Sequence, residues 1–235
     1  MSTRNIQRCS VVKLETTDYK ETWELQQMLV QARRRECVGE VFLLTEHQPT
    51  YTIGKSGREE HLLVEEGALL REGIPVYRVE RGGDITYHGP GQLVGYPILD
   101  LRQFGRDVHL YLRNLEEVLI QTVGAYGPKA LRVPGMTGVW VEGRKIAAIG
   151  VHVRHWITMH GFALNVDTDL RYFSRIVPCG IRGREVTSLE ALLSRKIDRD
   201  EVAEQVIHHF SEIFGVRTEG VEVEYLKGRI MEQSG

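Results

Sequence analysis

The sequence holds no apolar run near the roughly 20 residues that a membrane-crossing helix needs, so no membrane association is expected. Met1 to Arg8 lack the apolar core of a secretory signal and lead directly into a strand-like stretch. The expected location is therefore cytoplasmic. Cysteine is scarce: Cys9, Cys37 and Cys179 form an odd set without CxxC spacing. That argues against a disulfide framework or a zinc knuckle and leaves reduced thiols. An excess of one charge is missing too. Thirty Lys and Arg against 32 Asp and Glu give a formal net charge of −2, without the basic surface that generic nucleic-acid binding demands. Repeats, low-complexity tracts and an obvious linker are also lacking, so a single domain over residues 1–235 is expected.

What is present suits a folded core, with 42% hydrophobic and 26% charged residues. Residues 10–15 read as a strand. Asp18 and Glu21 then form a capping-box-like start to a helix carrying Tyr19, Trp23, Met28, Leu29 and Ala32 at helical spacing. Strand signals return at 41–45 and 75–79. A second helix shows Val108, Leu112, Leu115, Leu119 and Val123 on one face, and a third follows Asp200 with Val202, Val206, Phe210 and Phe214 four apart. Between them, Gly138 to Val153 reads as two strands around a Glu142-Gly143 turn. Val221 to Tyr225 reads as a last strand closing an edge. Hairpin-connected strands with helices on one side predict an α+β, or mixed α/β, domain.

The chemistry concentrates in two stretches. Arg81-Gly-Gly-Asp-Ile-Thr-Tyr-His-Gly-Pro-Gly-Gln92 interrupts a strand-like region with four glycines and a proline. Such a loop either presents backbone N–H groups to a ligand or is a glycine-rich hairpin with none. It matches neither nucleotide-binding glycine pattern. In Ile176-Val-Pro-Cys-Gly-Ile181, Cys179 stands between proline and glycine, which suits an exposed nucleophile better than a buried thiol. A free thiol, with a pKa of about 8.5, is only a few per cent thiolate at neutral pH, so a nearby cation would help. Lys145, just beyond the Glu142-Gly143 turn, is either that cation or a solvated hairpin lysine. His152, His155 and His160 lack metal-ligand spacing, and no metal is expected.

Together these stretches resemble the lipoyl(octanoyl) transferase family. The carrying residues are Arg81 to Gln92, Gly143-Arg-Lys-Ile-Ala-Ala-Ile-Gly-Val151, His160-Gly-Phe-Ala-Leu-Asn165, Ile176 to Ile181, and Thr187-Ser-Leu189. The similarity runs from about Leu43 to about Ser194, with the motifs in the family's order. It implies a fold similar to the biotin/lipoate protein ligase catalytic domain, a mixed β-sheet flanked by helices. It implies that Cys179 carries the acyl group as a thioester and that Lys145 tunes it. It further implies that Arg81, Gly82, Gly83, Asp84, Ile85, Thr86, Tyr87, His88, Ala148, Ile149, Gly150, Gly161, Phe162 and Ala163 line the acyl-substrate site. The family commonly has Gln-Val where this chain has Asp84-Ile85, which leaves the role of the Asp84 side chain open.

The implied reaction moves an octanoyl group from acyl carrier protein to a lysine of lipoyl domains. Those acceptors belong to 2-oxoacid dehydrogenase complexes or to the glycine cleavage H protein. A thioester is already activated, so no nucleotide or other cofactor is expected. After acylation Lys145 would lose its thiolate partner and become free to take the acceptor's proton, with Tyr87 and His88 as candidates to orient the carbonyl. The rival readings are an ATP-dependent lipoate or biotin ligase, an acyl thioesterase and a non-catalytic binding module. A cluster of Arg171, Arg175, Arg182 and Arg184 around Cys179 suggests a basic rim for an acidic carrier protein.

Overall fold

The computed structural model describes residues 6–177 and 185–232. The chain opens with β1 (Gln7–Thr17) and α1 (Tyr19–Arg34), followed by β2 (Glu40–His47) and β3 (Thr50–Ile53). A short α2 (Glu66–Arg71) precedes β4 (Val76–Arg78), β5 (Ile85–His88) and β6 (Gln92–Ile98). Next come α3 (Val108–Ala125), β7 (Leu131–Val133), β8 (Met136–Val141), β9 (Arg144–Arg154) and β10 (Ile157–Asn165). The chain ends with α4 (Leu189–Leu193), α5 (Arg199–Phe214), β11 (Val216–Gly220) and α6 (Val223–Glu232).

One sheet carries eight strands in the order β11-β1-β2-β6-β10-β9-β8-β7, and a smaller one runs β4-β3-β5. β1 pairs in parallel with both β11 and β2, while the pairings from β2 to β7 are antiparallel. The sheet is therefore mixed, as expected. Helices cover both of its faces, which corrects the one-sided packing read from the sequence. Leu29 and Ala32 of α1, with Leu226 of α6, pack against Val41, Leu43, Val94, Tyr96 and Ala163. On the opposite face, Leu115 and Leu119 of α3 and Val206 and Phe210 of α5 meet Phe42, Leu44, Phe162 and Leu164. Strands flanked on both faces read as nearly unbroken apolar runs, as β2 and β10 do.

Local chemistry fixes the helix ends. The Asp18 side chain accepts from the N–H groups of Lys20 and Glu21, and Asp107 does the same for His109 and Leu110. The third helix begins at Arg199, capped by Asp198, slightly before the expected start. Two expectations fail. Met28 is exposed, and the buried positions of α1 include the polar Thr22 and Gln26. The segment read as a closing strand at 221–225 instead enters α6. Val223, Leu226 and Ile230 recur at helical spacing and pack beneath the sheet, which outweighs the short two-residue alternation. β11, launched by left-handed Gly215, closes the edge instead.

Candidate active site

β9 and β10 form the floor of a cavity of about 770 Å³. Their register sets Ala163 opposite Ala148 and Gly161 opposite Gly150. Alternation points all four toward the α1 face, where two alanines and two glycines leave a trough almost free of side chains. Ala147, Ile149, Val151, Phe162 and Leu164 point the other way into the α3 and α5 core.

Lys145 joins the trough through a β-bulge. The register against β8 shifts between Val139–Ala147 and Trp140–Lys145, and both Ile146 and Ala147 enter the α3 and α5 core. The extra residue puts Lys145 on the same face as Ala148, which an unbroken strand would forbid. The Lys145 side chain is buried, with Nζ donating to the Thr137 carbonyl at 3.2 Å and lying 4.9 Å from the Trp140 ring centroid. Gly138 makes room for it: with φ at +125°, an added Cβ would sit 2.6 Å from the Ala147 carbonyl oxygen and 3.4 Å from Nζ.

The Arg81 to His88 loop roofs the trough. The buried Arg81 guanidinium donates to the Thr52 hydroxyl and carbonyl and to the Asp84 and Gly82 carbonyls, holding the loop's shape. Gly82 N–H donates to the Val151 carbonyl at 2.9 Å, so the loop rests directly on β9. A Cβ on Gly150 would lie 2.7 Å from the Gly82 oxygen, which explains the glycine beneath it.

A chain of buried hydrogen bonds runs from loop to lysine. His88 Nδ1 donates to Gln92 Oε1 at 2.8 Å, Gln92 Nε2 to Asn165 Oδ1 at 3.0 Å, and Asn165 Nδ2 to the Thr187 carbonyl at 3.0 Å. Thr187 N–H then donates to the Lys145 carbonyl at 2.9 Å. Burial, reinforced by His47 and Arg81, holds the His88 pKa well below the ordinary histidine value. Its neutral ring is thus a fixed one-donor, one-acceptor link.

Of the residues implied as substrate-binding, Arg81, Gly82, Gly83, Asp84, Ile85, Thr86, His88, Ala148, Ile149, Gly150, Gly161, Phe162 and Ala163 all line this cavity, as does Lys145. Tyr87 does not line it. Strand alternation turns its ring into the core of the small sheet, stacked on Tyr172 at 4.6 Å and beside Tyr51 and Phe173. The open question about Asp84 has a structural answer: its carboxylate meets His61 Nδ1 at 2.5 Å and accepts from Ile85 N–H.

The family match decides what these residues belong to. Residues 18–211 match the lipoyl protein ligase A/B catalytic domain. A protein of Christiangramia forsetii named octanoyltransferase is 49% identical over 87% of this chain and 94% of its own length. The chain belongs to the lipoyl protein ligase A/B family, among its octanoyltransferases. The fold also matches lipoate-protein ligase A bound with ATP, at a TM-score of 0.74 and 19% identity over 96% of this chain and 94% of that one. A chain from a structural analysis of an archaeal lipoylation system, a bipartite lipoate protein ligase and its E2 lipoyl domain from Thermoplasma acidophilum, matches at a TM-score of 0.73 and 19% identity, over 96% of this chain and 91% of that one.

In this octanoyltransferase, Cys179 lies outside the described residues, as do Arg182 and Arg184. Both flanks of that segment are anchored beside the cavity. Val177 N–H donates to the His61 carbonyl at 2.8 Å, and Lys145 N–H donates to the Glu185 carbonyl at 3.0 Å. Arg171 pairs with Asp169, and Arg175 with Glu72 at 2.6 Å, so these two members of the expected basic rim are already engaged. His208, His209 and Glu212 on α5 are the one group of potential metal ligands among the described residues, and none lines the cavity.

Sequence reading passed over Gln92 and Asn165, which end two of the quoted motifs, and Tyr19, Tyr96, Trp140 and His61, which also line the cavity. For His160 it gave only the lack of metal-ligand spacing. The structure buries it at 1% exposure in the cavity wall.

Proposed function

We propose that this octanoyltransferase takes its acyl group from a thioester on acyl carrier protein, holds it as a thioester on Cys179 and delivers it to a lysine of a lipoyl domain. The observation that carries the reading is the buried Lys145 at the head of a side-chain-free trough. Its backbone is hydrogen-bonded to Glu185 and Thr187, just beyond the segment that carries Cys179. A single catalytic domain working in the cytoplasm, where carrier and acceptor meet, completes the reading. Among the described residues no helix is long and apolar enough to cross a membrane.

In the first half-reaction the Cys179 thiolate attacks the donor carbonyl, the new C–S bond forms, and the carrier thiolate leaves with the proton that the Lys145 ammonium gives up, which leaves that amine neutral. The Lys145 ammonium favours the thiolate, and the Ala148–Ala163 and Gly150–Gly161 rungs hold the acyl chain. In the second, the acceptor amine attacks the enzyme thioester. Its lysine has an ordinary pKa of about 10.4, so a base must remove a proton for attack to proceed. Lys145 takes that proton as the C–N bond forms, and the Cys179 thiolate is expelled. The Arg81 loop supplies backbone N–H groups over the trough, and His88 is held to orient the carbonyl.

Thioester to amide is downhill, so the reading requires transfer without ATP. With octanoyl carrier protein and a lipoyl domain, the full chain should raise the acceptor's mass by one octanoyl group in nucleotide-free buffer. Dependence on ATP with pyrophosphate release would support the ligase reading, and release of free octanoate would support a thioesterase.

A further inference from the structure

Forming an amide from a lysine ammonium releases two protons, one before the nitrogen can attack and one as the C–N bond closes. Lys145 enters the second half-reaction as a neutral amine and can take only one of them. The proton balance therefore calls for a second acceptor in the cavity.

Three histidines line the cavity among the described residues. His88 has both ring nitrogens engaged, Nδ1 with Gln92 at 2.8 Å and Nε2 with the Thr52 hydroxyl at 3.4 Å. His160 is sealed in the wall at 1% exposure. His61 differs from both. Its Nδ1 meets the Asp84 carboxylate at 2.5 Å, and Nε2 has no hydrogen-bond partner among the described residues. A carboxylate can only accept, so Nδ1 carries the hydrogen and Nε2 presents its lone pair. The His61 side chain is 17% exposed against 9% for Asp84, which gives the ring an outlet to solvent.

The ring is held from two sides. Asp84 Oδ1 accepts from the N–H groups of Ile85 at 2.8 Å and Arg58 at 3.3 Å, while the Asp84 carbonyl accepts from Arg81 and from Gly54 N–H. The orienting carboxylate is thus locked to the roof loop, and it is the one carboxylate lining the cavity among the described residues. On the other side, the His61 carbonyl accepts from Val177 N–H, Leu62 bridges to Ile176, and Leu63 N–H donates to the Arg175 carbonyl at 2.9 Å.

We propose that His61, oriented by Asp84, is a second catalytic base: Nε2 takes the first proton from the ammonium of the acceptor lysine, and Lys145 takes the second. The inference rests on the two-step transfer proposed above. In this step an ammonium N–H bond breaks and the Nε2–H bond forms, leaving a neutral amine and an imidazolium. The Asp84 carboxylate attracts the ammonium and then balances the imidazolium charge. Loss of the proton to solvent restores His61 before the next turnover.

The full-length protein is assayed in two stages, release of the carrier thiol from octanoyl carrier protein and octanoylation of a lipoyl domain. His61→Asn can still donate to Asp84 through its side-chain amide but cannot take up a proton. It should lower the ratio of amide formation to thiol release by about a hundredfold with the lipoyl domain. With trifluoroethylamine, a small amine that is already neutral at neutral pH, the ratio should match that of the unaltered protein. Asp84→Asn leaves the ring unoriented and should show the same split, which keeps the proposal testable if His61→Asn does not fold. An unchanged ratio with the lipoyl domain, or an equal fall with both amines, would overturn the base role and leave the pair a clamp on the loop. Absence of thiol release by the unaltered protein would instead overturn the two-step reading, and this inference with it.

Discussion

The Lys145 Nζ lies 4.9 Å from the centroid of the Trp140 ring, and the two residues face each other across adjacent strands. Trp140 is itself almost fully buried, so the ring gives the ammonium a dry, electron-rich wall. Such a wall attracts the ammonium and holds it in place beside the trough.

Replacing that cation separates its two roles. Lys145→Arg keeps the charge beside the thiol but cannot shed a proton at accessible pH. Lys145→Met removes both functions. Alkylation of Cys179 by iodoacetamide should therefore survive better in the arginine variant, while octanoyl transfer falls by roughly a hundredfold or more in both. Normal transfer by the arginine variant would remove Lys145 as the base.

Gly138 supports the same lysine from behind. An alanine there must adopt φ of +125° and crowd both the Ala147 carbonyl and the lysine's end. Gly138→Ala should cost on the order of 1–3 kcal/mol of stability in urea unfolding. It should also lower the alkylation rate of Cys179 in protein that remains folded. Unchanged stability and unchanged alkylation would show that the lysine has space to spare.

Buried histidines make the fold acid-sensitive. Burial lowers His47 to about 4, opposed by its hydrogen bond to the Thr17 backbone and by Asp18, and it lowers His88 and His160 as well. These groups are held neutral when folded but titrate near 6.5 when unfolded, so the unfolded chain binds more protons below that pH. Stability should be flat above about pH 6.5 and decline toward pH 4, with His47 alone worth on the order of 3 kcal/mol at the lower end. Thermal unfolding from pH 4 to pH 8 reads this. His47→Gln should flatten the decline. An equally steep decline in that variant would assign the acid sensitivity elsewhere.

The glycine loop, the Lys145 strand and the mixed sheet were legible because each leaves a local mark. Glycine and proline punctuate the loop, and Glu142-Gly143 forms a turn in which both residues have positive φ. What stayed hidden depends on neighbours distant in sequence. The bulge at Ile146-Ala147 is defined by a strand that comes before it, so nothing in Lys-Ile-Ala-Ala announces which face the lysine takes. Gln26 reads as the wet side of an amphipathic helix until β10 brings His160 to it. Tyr87 has the same local motif as His88 and the opposite face of β5. The α6 start was misread because five alternating residues outvoted Leu226 and Ile230 farther on.

The central claim is that the acyl group rides on Cys179. Cys9 is fully buried, and burial, aided by Glu40, pushes its thiol well above the ordinary range. Cys37 is also buried, at 4% exposure. Intact-mass spectrometry after incubation with octanoyl carrier protein, followed by peptide mapping, measures the claim directly. The account predicts one octanoyl adduct, labile to hydroxylamine, on the peptide containing Cys179, and its loss in Cys179→Ser but not in Cys9→Ala or Cys37→Ala. An adduct on Cys37, or transfer that proceeds unimpaired in Cys179→Ser, would contradict it.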